Sequence, residues 1–209
     1  MNRDLKKIVS SGYDEIAETY LHWTAGSTLR QYWLNEISSM LLPNARILDL
    51  GCGAGVPVAT HFESLGFEVV GVDGSLRQIT LAWQNAPSSK FIHEDMTSID
   101  FNPSSFDAVT AFYSITHVPR EEHQELLNRI LGWLKPGGLM LASMGYDDLP
   151  DRTEKWLDTE MFFSHFDATT NAALIESAGF DIVRSEVIGE VENGETVRFL
   201  WVIARRPNL

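Results

Sequence analysis

Ala45-Arg46-Ile47-Leu48-Asp49-Leu50-Gly51-Cys52-Gly53-Ala54-Gly55 is the stretch on which the fold turns. Ile47, Leu48 and Leu50 form a short apolar run that reads as a buried parallel strand. Glycines follow at 51, 53 and 55, and Val58 to Leu65 can then be helical, ending at Gly66. Glycine tolerates positive φ and lets a ligand approach bare backbone. A glycine-rich turn leading into a helix gathers unpaired N–H groups at the positive end of a helix dipole, which suits an acidic or hydroxyl-rich ligand. The dinucleotide fingerprint Gly-x-Gly-x-x-Gly is broken here, because Val56 occupies the place of its third glycine. The chain carries Asp-x-Gly-x-Gly-x-Gly instead, starting at Asp49.

Downstream, apolar runs alternate with helical spacing. Phe67 to Asp73 reads as a second buried strand ending in an acid, and Asp73 lies 20 residues beyond Gly53. An acid at that distance, at the end of the second strand, accepts hydrogen bonds from ribose hydroxyls in nucleotide-binding α/β folds. The competing reading of Asp73 is a helix N-cap, a role for which Gly74 and Ser75 also qualify. Ser75 to Asn85 looks helical, Ser89 to His93 is a short third strand, and Phe106 to Phe112 is a fourth. Pro119 is placed to open an amphipathic helix over Arg120 to Leu134. Lys135-Pro136-Gly137-Gly138 makes a turn before a strand at Leu139 to Met144. From Gly145 to Asp167 the pattern becomes irregular and rich in aromatics, a combination that is usually functional inside a compact domain. Thr169 to Ala178 is helical, and Asn193-Gly194 joins two final strands, Phe180 to Val191 and Thr196 to Arg205.

The amino-terminal part is helical. Tyr13, Ile16, Ala17 and Tyr20 share one face, and Leu29 to Leu42 carries a second stripe that Pro43 and Asn44 stop. Core packing alone accounts for such stripes. The length of 209 residues and the hydrophobic fraction of 44% are those of one globular domain, 1–209. A net charge of −13, from 29 acidic and 16 basic residues, disfavours a nucleic-acid partner. Cys52 is the single cysteine, which excludes an internal disulfide framework and fits a reducing compartment. Met1 to Ser10 lacks the apolar core of a leader, and no apolar run reaches the roughly 18 residues of a membrane span. A soluble cytoplasmic protein, monomer or homodimer, with no membrane partner is expected.

The Asp49 to Gly55 turn, Asp73 and Leu134-Lys135-Pro136-Gly137-Gly138, in this order, resemble the class I S-adenosylmethionine-dependent methyltransferases. Softer motifs extend the resemblance from Tyr13 to Ala204. It implies a doubly wound, Rossmann-like α/β sheet of seven strands, mostly parallel with a C-terminal antiparallel hairpin and helices on both faces. Residues 1–44 would form a helical cap over the cofactor cleft, and 145–167 a substrate-side insertion. The cofactor would be S-adenosyl-L-methionine, with S-adenosyl-L-homocysteine as product. Tyr20, with Tyr13 as second candidate, would lie at its amino-acid end, and Asp49, Gly51 and Gly53 would also bind it. Asp73 and Gly74 would take the ribose, Asp95 and Met96 the adenine, and Phe112 would close the wall at the fourth strand. The acceptor would be a small aromatic or heterocyclic molecule, methylated on nitrogen or oxygen. Tyr13, Tyr113, Tyr146, Trp156, Phe163 and His165 would contact it.

A base is needed only if the acceptor must lose a proton. His117, just beyond the fourth strand, is the first candidate, and His165 is the second. His93 and His61 read as structural. His117, His123 and His165 lack close ligand spacing, and Tyr113, Ser114 and Thr116 stand where metal-dependent relatives carry acids, so no metal is expected. Two other readings compete. One is a non-catalytic S-adenosylmethionine-binding protein; the other is an NAD-dependent oxidoreductase, disfavoured by Val56, by the terminal hairpin and by the missing Tyr-x-x-x-Lys pair.

Overall fold

The computed structural model describes residues 4–192 and 195–208, and only the backbone at 191, 192 and 195. The expected Asn193-Gly194 turn lies outside the described residues. Two helices come first, α1 at Leu5–Thr24 and α2 at Thr28–Ser39. Strands and helices then alternate as β1 Arg46–Leu50, α3 Val58–Ser64, β2 Glu68–Asp73, α4 Leu76–Asn85, β3 Lys90–His93, β4 Phe106–Ala111, α5 His123–Trp133 and β5 Leu134–Gly145. A second run holds β6 Leu149–Trp156, β7 Thr159–His165, α6 Ala168–Ser177, β8 Asp181–Glu192 and β9 Glu195–Arg205.

The main sheet has seven strands in the order β3-β2-β1-β4-β5-β9-β8. The first five are parallel, and β9 is antiparallel to both of its neighbours. This is the mostly parallel sheet with a terminal hairpin that the sequence led us to expect. Its centre is buried on both sides, because successive side chains of a strand point to opposite faces. In β1, Ile47 joins Trp33, Ile37, Phe62 and Ile79 on one face. Leu48 and Leu50 join Leu126, Leu127, Ile130 and Ile175 on the other. The result is a helix–sheet–helix layering. Trp33 and Trp201 stack at 5.6 Å between α2 and β9.

Three details depart from expectation. Residues 145–167 are not irregular: β6 and β7 form a separate antiparallel pair, with Trp156 opposite Thr159. Their two-residue turn, Leu157-Asp158, holds both residues at positive φ (46° and 66°), the twist that hairpins require and that glycine or asparagine usually signals. The Lys135 to Gly138 turn is absorbed into β5 as a register irregularity against β4 between Phe106 and Ala108. There Gly137 donates to the Arg206 carbonyl, and Arg206 donates to that of Gly138. Finally, α2 ends at Ser39, earlier than Pro43 requires.

The helix α1 crosses the carboxyl ends of the strands, and Asp4 caps it by accepting from the Lys7 N–H. It buries only Gly12, Ile16, Ala17 and Thr24. Gly12 sits against β7, where a Cβ would come within 2.9 Å of Met161 Cε and 3.0 Å of the Glu160 carbonyl oxygen. Among the described residues, no helix is long and apolar enough to cross a membrane.

Candidate active site

A cleft of about 540 Å³ opens at the carboxyl ends of β1, β2 and β4. Here β1 has β2 on one side and β4 on the other, so the chain winds away in both directions and leaves a crevice. The floor is backbone. Gly51, Gly53 and Gly55 all take positive φ (71°, 53° and 74°), as their spacing anticipates. Gly51 has a second reason to lack a side chain, since a Cβ there would fall 2.3 Å from Ser114 Cβ.

Asp73 stands at the tip of β2 in the cleft wall. One of its oxygens accepts the Gly53 N–H and the other the Ser75 N–H, each at 2.8 Å. A lone pair on each oxygen is left for the cleft. Burial pushes the carboxyl up to about 6, against the pull of the two N–H bonds. The cap of α4 is Ser75, whose hydroxyl accepts from the Gln78 N–H, so Asp73 is not spent on that role. Gly74, Met96 and Phe112 line the same cleft, as does Asp95. Asp95, however, is already engaged. It accepts from the Thr97 N–H at 2.8 Å and the Thr97 hydroxyl at 2.9 Å, and it pairs with Lys6 at 3.2 Å. Although partial burial opposes it, these bonds hold the carboxyl below its usual range.

A narrow recess shares Tyr20, Gly51, Gly53 and Phe112 with the cleft. Asp49, on β1, lies 1% exposed in its wall. One oxygen accepts from the Thr110 hydroxyl at 2.7 Å, and the other has no partner among the described residues. Burial pushes this carboxyl up to about 7. Across the recess stands Arg30, a residue that the sequence reading did not single out. It is buried, donates to the Tyr20 hydroxyl at 3.1 Å, and lies 4.4 Å from the Tyr113 ring centroid. Burial disfavours its charge, while the surrounding tyrosines hold its pKa raised. Among the described residues no carboxylate forms a salt bridge with it. A buried guanidinium with no carboxylate partner among the described residues is a seat for an anion. The sequence did hold a signal: Arg30, Trp33, Leu34 and Ile37 fall at i, i+3, i+4 and i+7, so Arg30 shares the buried face of α2.

The roof is α1, from which Lys6, Val9, Ser10, Tyr13 and Tyr20 face the cleft. Lys6 ties it down through Glu122 and Thr97 at 2.6 Å each. Asp14 accepts from the Ser75 hydroxyl at 2.6 Å and the Arg77 N–H at 3.0 Å. Glu18 pairs with Arg77.

His117 also lines the cleft, although only 8% exposed. Its Nδ1 lies 2.7 Å from the Phe162 carbonyl oxygen and its Nε2 lies 2.9 Å from the Tyr13 hydroxyl. A carbonyl only accepts, so Nδ1 carries the hydrogen and Tyr13 donates to Nε2. Burial pushes the imidazole down to about 4, so it is neutral at physiological pH. Tyr113, at the end of β4, is held at φ 56°; its N–H donates to Ser143 Oγ at 2.6 Å and its hydroxyl to Glu190 at 2.5 Å.

Four residues expected at the acceptor do not line the cleft. Trp156 and Phe163 form a layer behind it. The Trp156 ring meets those of Tyr13, Tyr20, Trp23 and Phe163 at 5.8–6.1 Å, and Phe163 lies 4.8 Å from His117. Tyr146 lies beside Arg198, 5.9 Å from its guanidinium. His165 holds its Nδ1 2.8 Å from the Asp147 carbonyl oxygen, outside the cleft lining. Trp156 on β6, with Phe163 and His165 on β7, belongs to the hairpin that packs against α1 and the His117 segment, a placement that only the hairpin reveals. Conversely, His93, read as structural, lines the cleft and donates from Nε2 to the Gly74 carbonyl at 2.9 Å. His61 is bonded to Ser38 and Gln31 on α2. Among the described residues no group of three His, Cys, Asp or Glu side chains is arranged to hold a metal.

Strand order, glycine floor and strand-end acids define an α/β domain built to hold an adenosine-type ligand at a topological switch point. A methyltransferase domain family model matches residues 22–185, and the chain belongs to that family. The class I resemblance read from the sequence is borne out. The sterol 24-C-methyltransferase ERG6B of Gibberella zeae is 29% identical over 175 residues, 76% of this chain and 45% of that protein. The chain spans less than half the length of the first curated relatives it matches. Among solved structures, the 1,6-didemethyltoxoflavin-N1-methyltransferase of Burkholderia thailandensis superposes with a TM-score of 0.78 at 20% identity, covering 99% of this chain and 91% of that one. That structure holds 1,6-didemethyltoxoflavin and S-adenosylhomocysteine. A methyltransferase from Methanosarcina mazei gives 0.74 at 24% identity over 83% of this chain and 98% of that one.

Proposed function

We propose that this chain is an S-adenosylmethionine-dependent methyltransferase acting on nitrogen or oxygen of a small aromatic or heterocyclic acceptor. The observation that carries the reading is that, across one recess, a buried Asp49 oxygen without a partner among the described residues faces buried Arg30, which forms no salt bridge with a carboxylate among them. An ammonium and a carboxylate on one carbon would satisfy both. Asp73, one step along the floor, keeps two lone pairs for a diol. An amino acid joined to an adenosine has these features in this order. The relatives named for sterol and phosphoethanolamine acceptors, and the neighbour holding a small heterocycle, support a small acceptor.

The bound sulfonium supplies an electrophilic methyl group with a good leaving group. The chain's part is then placement. Asp73, Asp49 and Arg30 fix three points of one ligand, and α1 keeps water out from above. Well-oriented reactants can gain roughly 7–11 kcal/mol in this way. His117 and Tyr13 lie at the acceptor end, beside the Phe112 and Tyr113 wall. We further infer a cytoplasmic monomer or homodimer with no nucleic-acid partner, in keeping with the net charge of −13.

Thermal unfolding with S-adenosylhomocysteine, adenosine and NAD in parallel tests the reading. At about 100 times its Kd a ligand adds roughly 2.7 kcal/mol, a midpoint shift of roughly 5–10 °C here. S-adenosylhomocysteine is expected to give that shift and NAD none. In Arg30→Met, binding of S-adenosylhomocysteine is expected to weaken at least tenfold while adenosine binding stays the same. A shift with NAD alone would overturn the proposal. Equal losses for both adenosine ligands would remove Arg30 from the amino-acid end.

A further inference from the structure

The Phe162 carbonyl and the Tyr13 hydroxyl decide where the ring hydrogen of neutral His117 sits. The Phe162 carbonyl can only accept, which puts the Nδ1 hydrogen of His117 on that bond at 2.7 Å. Neutral His117 then has a bare lone pair at Nε2, and only a donor can sit 2.9 Å from it. The Tyr13 hydroxyl hydrogen is therefore committed to His117. What Tyr13 shows to the cleft it lines is oxygen lone pairs alone. A polar acceptor atom seated against it must bring its own hydrogen, or leave a buried lone pair facing a lone pair.

We propose that Tyr13 receives the acceptor's proton, and that the site thereby selects molecules whose reacting atom carries an N–H or O–H. This rests on the methyltransferase reading. The step balances. The acceptor's X–H bond breaks and its proton joins the Tyr13 oxygen, while the proton Tyr13 held passes to His117 Nε2. The electron pair left on X forms the bond to the methyl carbon, and the carbon–sulfur pair departs on sulfur. The imidazolium that results has both N–H groups bonded, Nδ1 to the Phe162 carbonyl and Nε2 to Tyr13. His117 acts through Tyr13 as a positioning residue and proton store. Tyr13 itself is braced by rings on three sides, Tyr20 at 5.2 Å, His117 at 5.3 Å and Trp156 at 6.1 Å, which keep the hydroxyl aimed at Nε2. A tertiary amine or a thioether has no hydrogen at the reacting atom, and a carbon's C–H is no hydrogen-bond donor, so each would meet the wrong polarity.

Nitrogen-15 NMR of histidine-labelled protein reads the arrangement without turnover. The expected His117 signature is a protonated Nδ1 and an unprotonated, hydrogen-bonded Nε2. In Tyr13→Phe the Nε2 resonance is expected to move to that of a free ring nitrogen while Nδ1 stays. A protonated Nε2 in the wild type, or an unmoved Nε2 in Tyr13→Phe, would overturn the proposal. With S-adenosylmethionine and a panel of small aromatics, those methylated are expected to be N–H or O–H compounds. For these, Tyr13→Phe is expected to lower kcat at least tenfold with S-adenosylhomocysteine affinity within twofold of wild type. Methylation of N,N-dimethylaniline or thioanisole by the wild type at a comparable rate would equally overturn it. Failure of S-adenosylhomocysteine to bind the wild type would instead remove the methyltransferase reading, with the NMR result left as a property of the protein alone.

Discussion

The floor and the roof of the cleft are made in opposite ways. The floor comes from β1, β2 and β4, neighbours in one sheet, and its key donors and acceptors are main-chain groups or single acids at strand ends. The roof is α1, backed by the β6–β7 pair, and it is held by side chains far apart in sequence: Tyr13 with His117, Glu15 with Thr159, Lys6 with Glu122. The floor's geometry follows from the fold itself, whereas the roof's depends on side chains that each require the others. Floor substitutions should therefore act on the cofactor, and roof substitutions on the acceptor and on closure.

The largest effect is expected at Asp73. Asp73→Ala removes the acceptor of two cleft-wall N–H groups, at roughly 1–3 kcal/mol each. We expect a lower unfolding midpoint and S-adenosylhomocysteine binding weakened more than tenfold by calorimetry. Unchanged affinity would mean that the floor does not hold the ribose. On the roof, Trp156→Ala should cost about 2 kcal/mol, less than a fully buried tryptophan because Trp156 is half-buried. Its signature should be a raised apparent KM for the acceptor with cofactor affinity kept; the reverse pattern would erase the division between floor and roof.

A smaller effect concerns pH. The folded Asp49 carboxyl keeps its proton up to about 7, whereas its ordinary value is 3.8. Between those values the folded protein binds more protons than the unfolded chain, so this group's contribution to stability falls as pH rises. Asp49→Asn should abolish that fall, on the order of 2 kcal/mol between pH 5 and 8, when ligand-free proteins are compared by denaturant unfolding. An identical pH slope in the two proteins would contradict it. The smallest effect is expected at Lys6, whose ion pairs are about a third exposed. Lys6→Ala should change stability by less than about 1 kcal/mol, and the difference should shrink in high salt. A salt-independent loss would show that the roof is held there by something other than charge.

The same division explains what was legible in the sequence. Strand runs, glycine spacing and the acid 20 residues on are local patterns, and each reappears in β1, β2 and the floor. The terminal strands were legible because two long strand candidates flank the Asn193-Gly194 turn signal in the sequence. The β6–β7 pair was not, because its turn puts Leu157 and Asp158 where glycine or asparagine is the usual signal. Asp95 was found as a lining residue, but its occupation by Lys6 was not, since that bond joins positions 89 residues apart. Arg30 went unread for another reason: a charged residue on an apolar helical stripe is ordinarily solvated, and only the convergence of α1, α2 and β4 buries it. His117 was legible as a cleft residue, but not its tautomer, which a backbone carbonyl 45 residues away decides.

Gly12 gives the roof an unusual balance of virtues. In the middle of a 20-residue helix, glycine forgoes roughly 1 kcal/mol of helix propensity relative to alanine. The saving in width lets the helix axis come down onto β7, where the Met161 side chain can yield but the Glu160 carbonyl cannot. Alanine there would give a stiffer rod that rides higher. Robustness of the part and tightness of the seal are thus opposed at this one position, and the chain carries the residue that favours the seal.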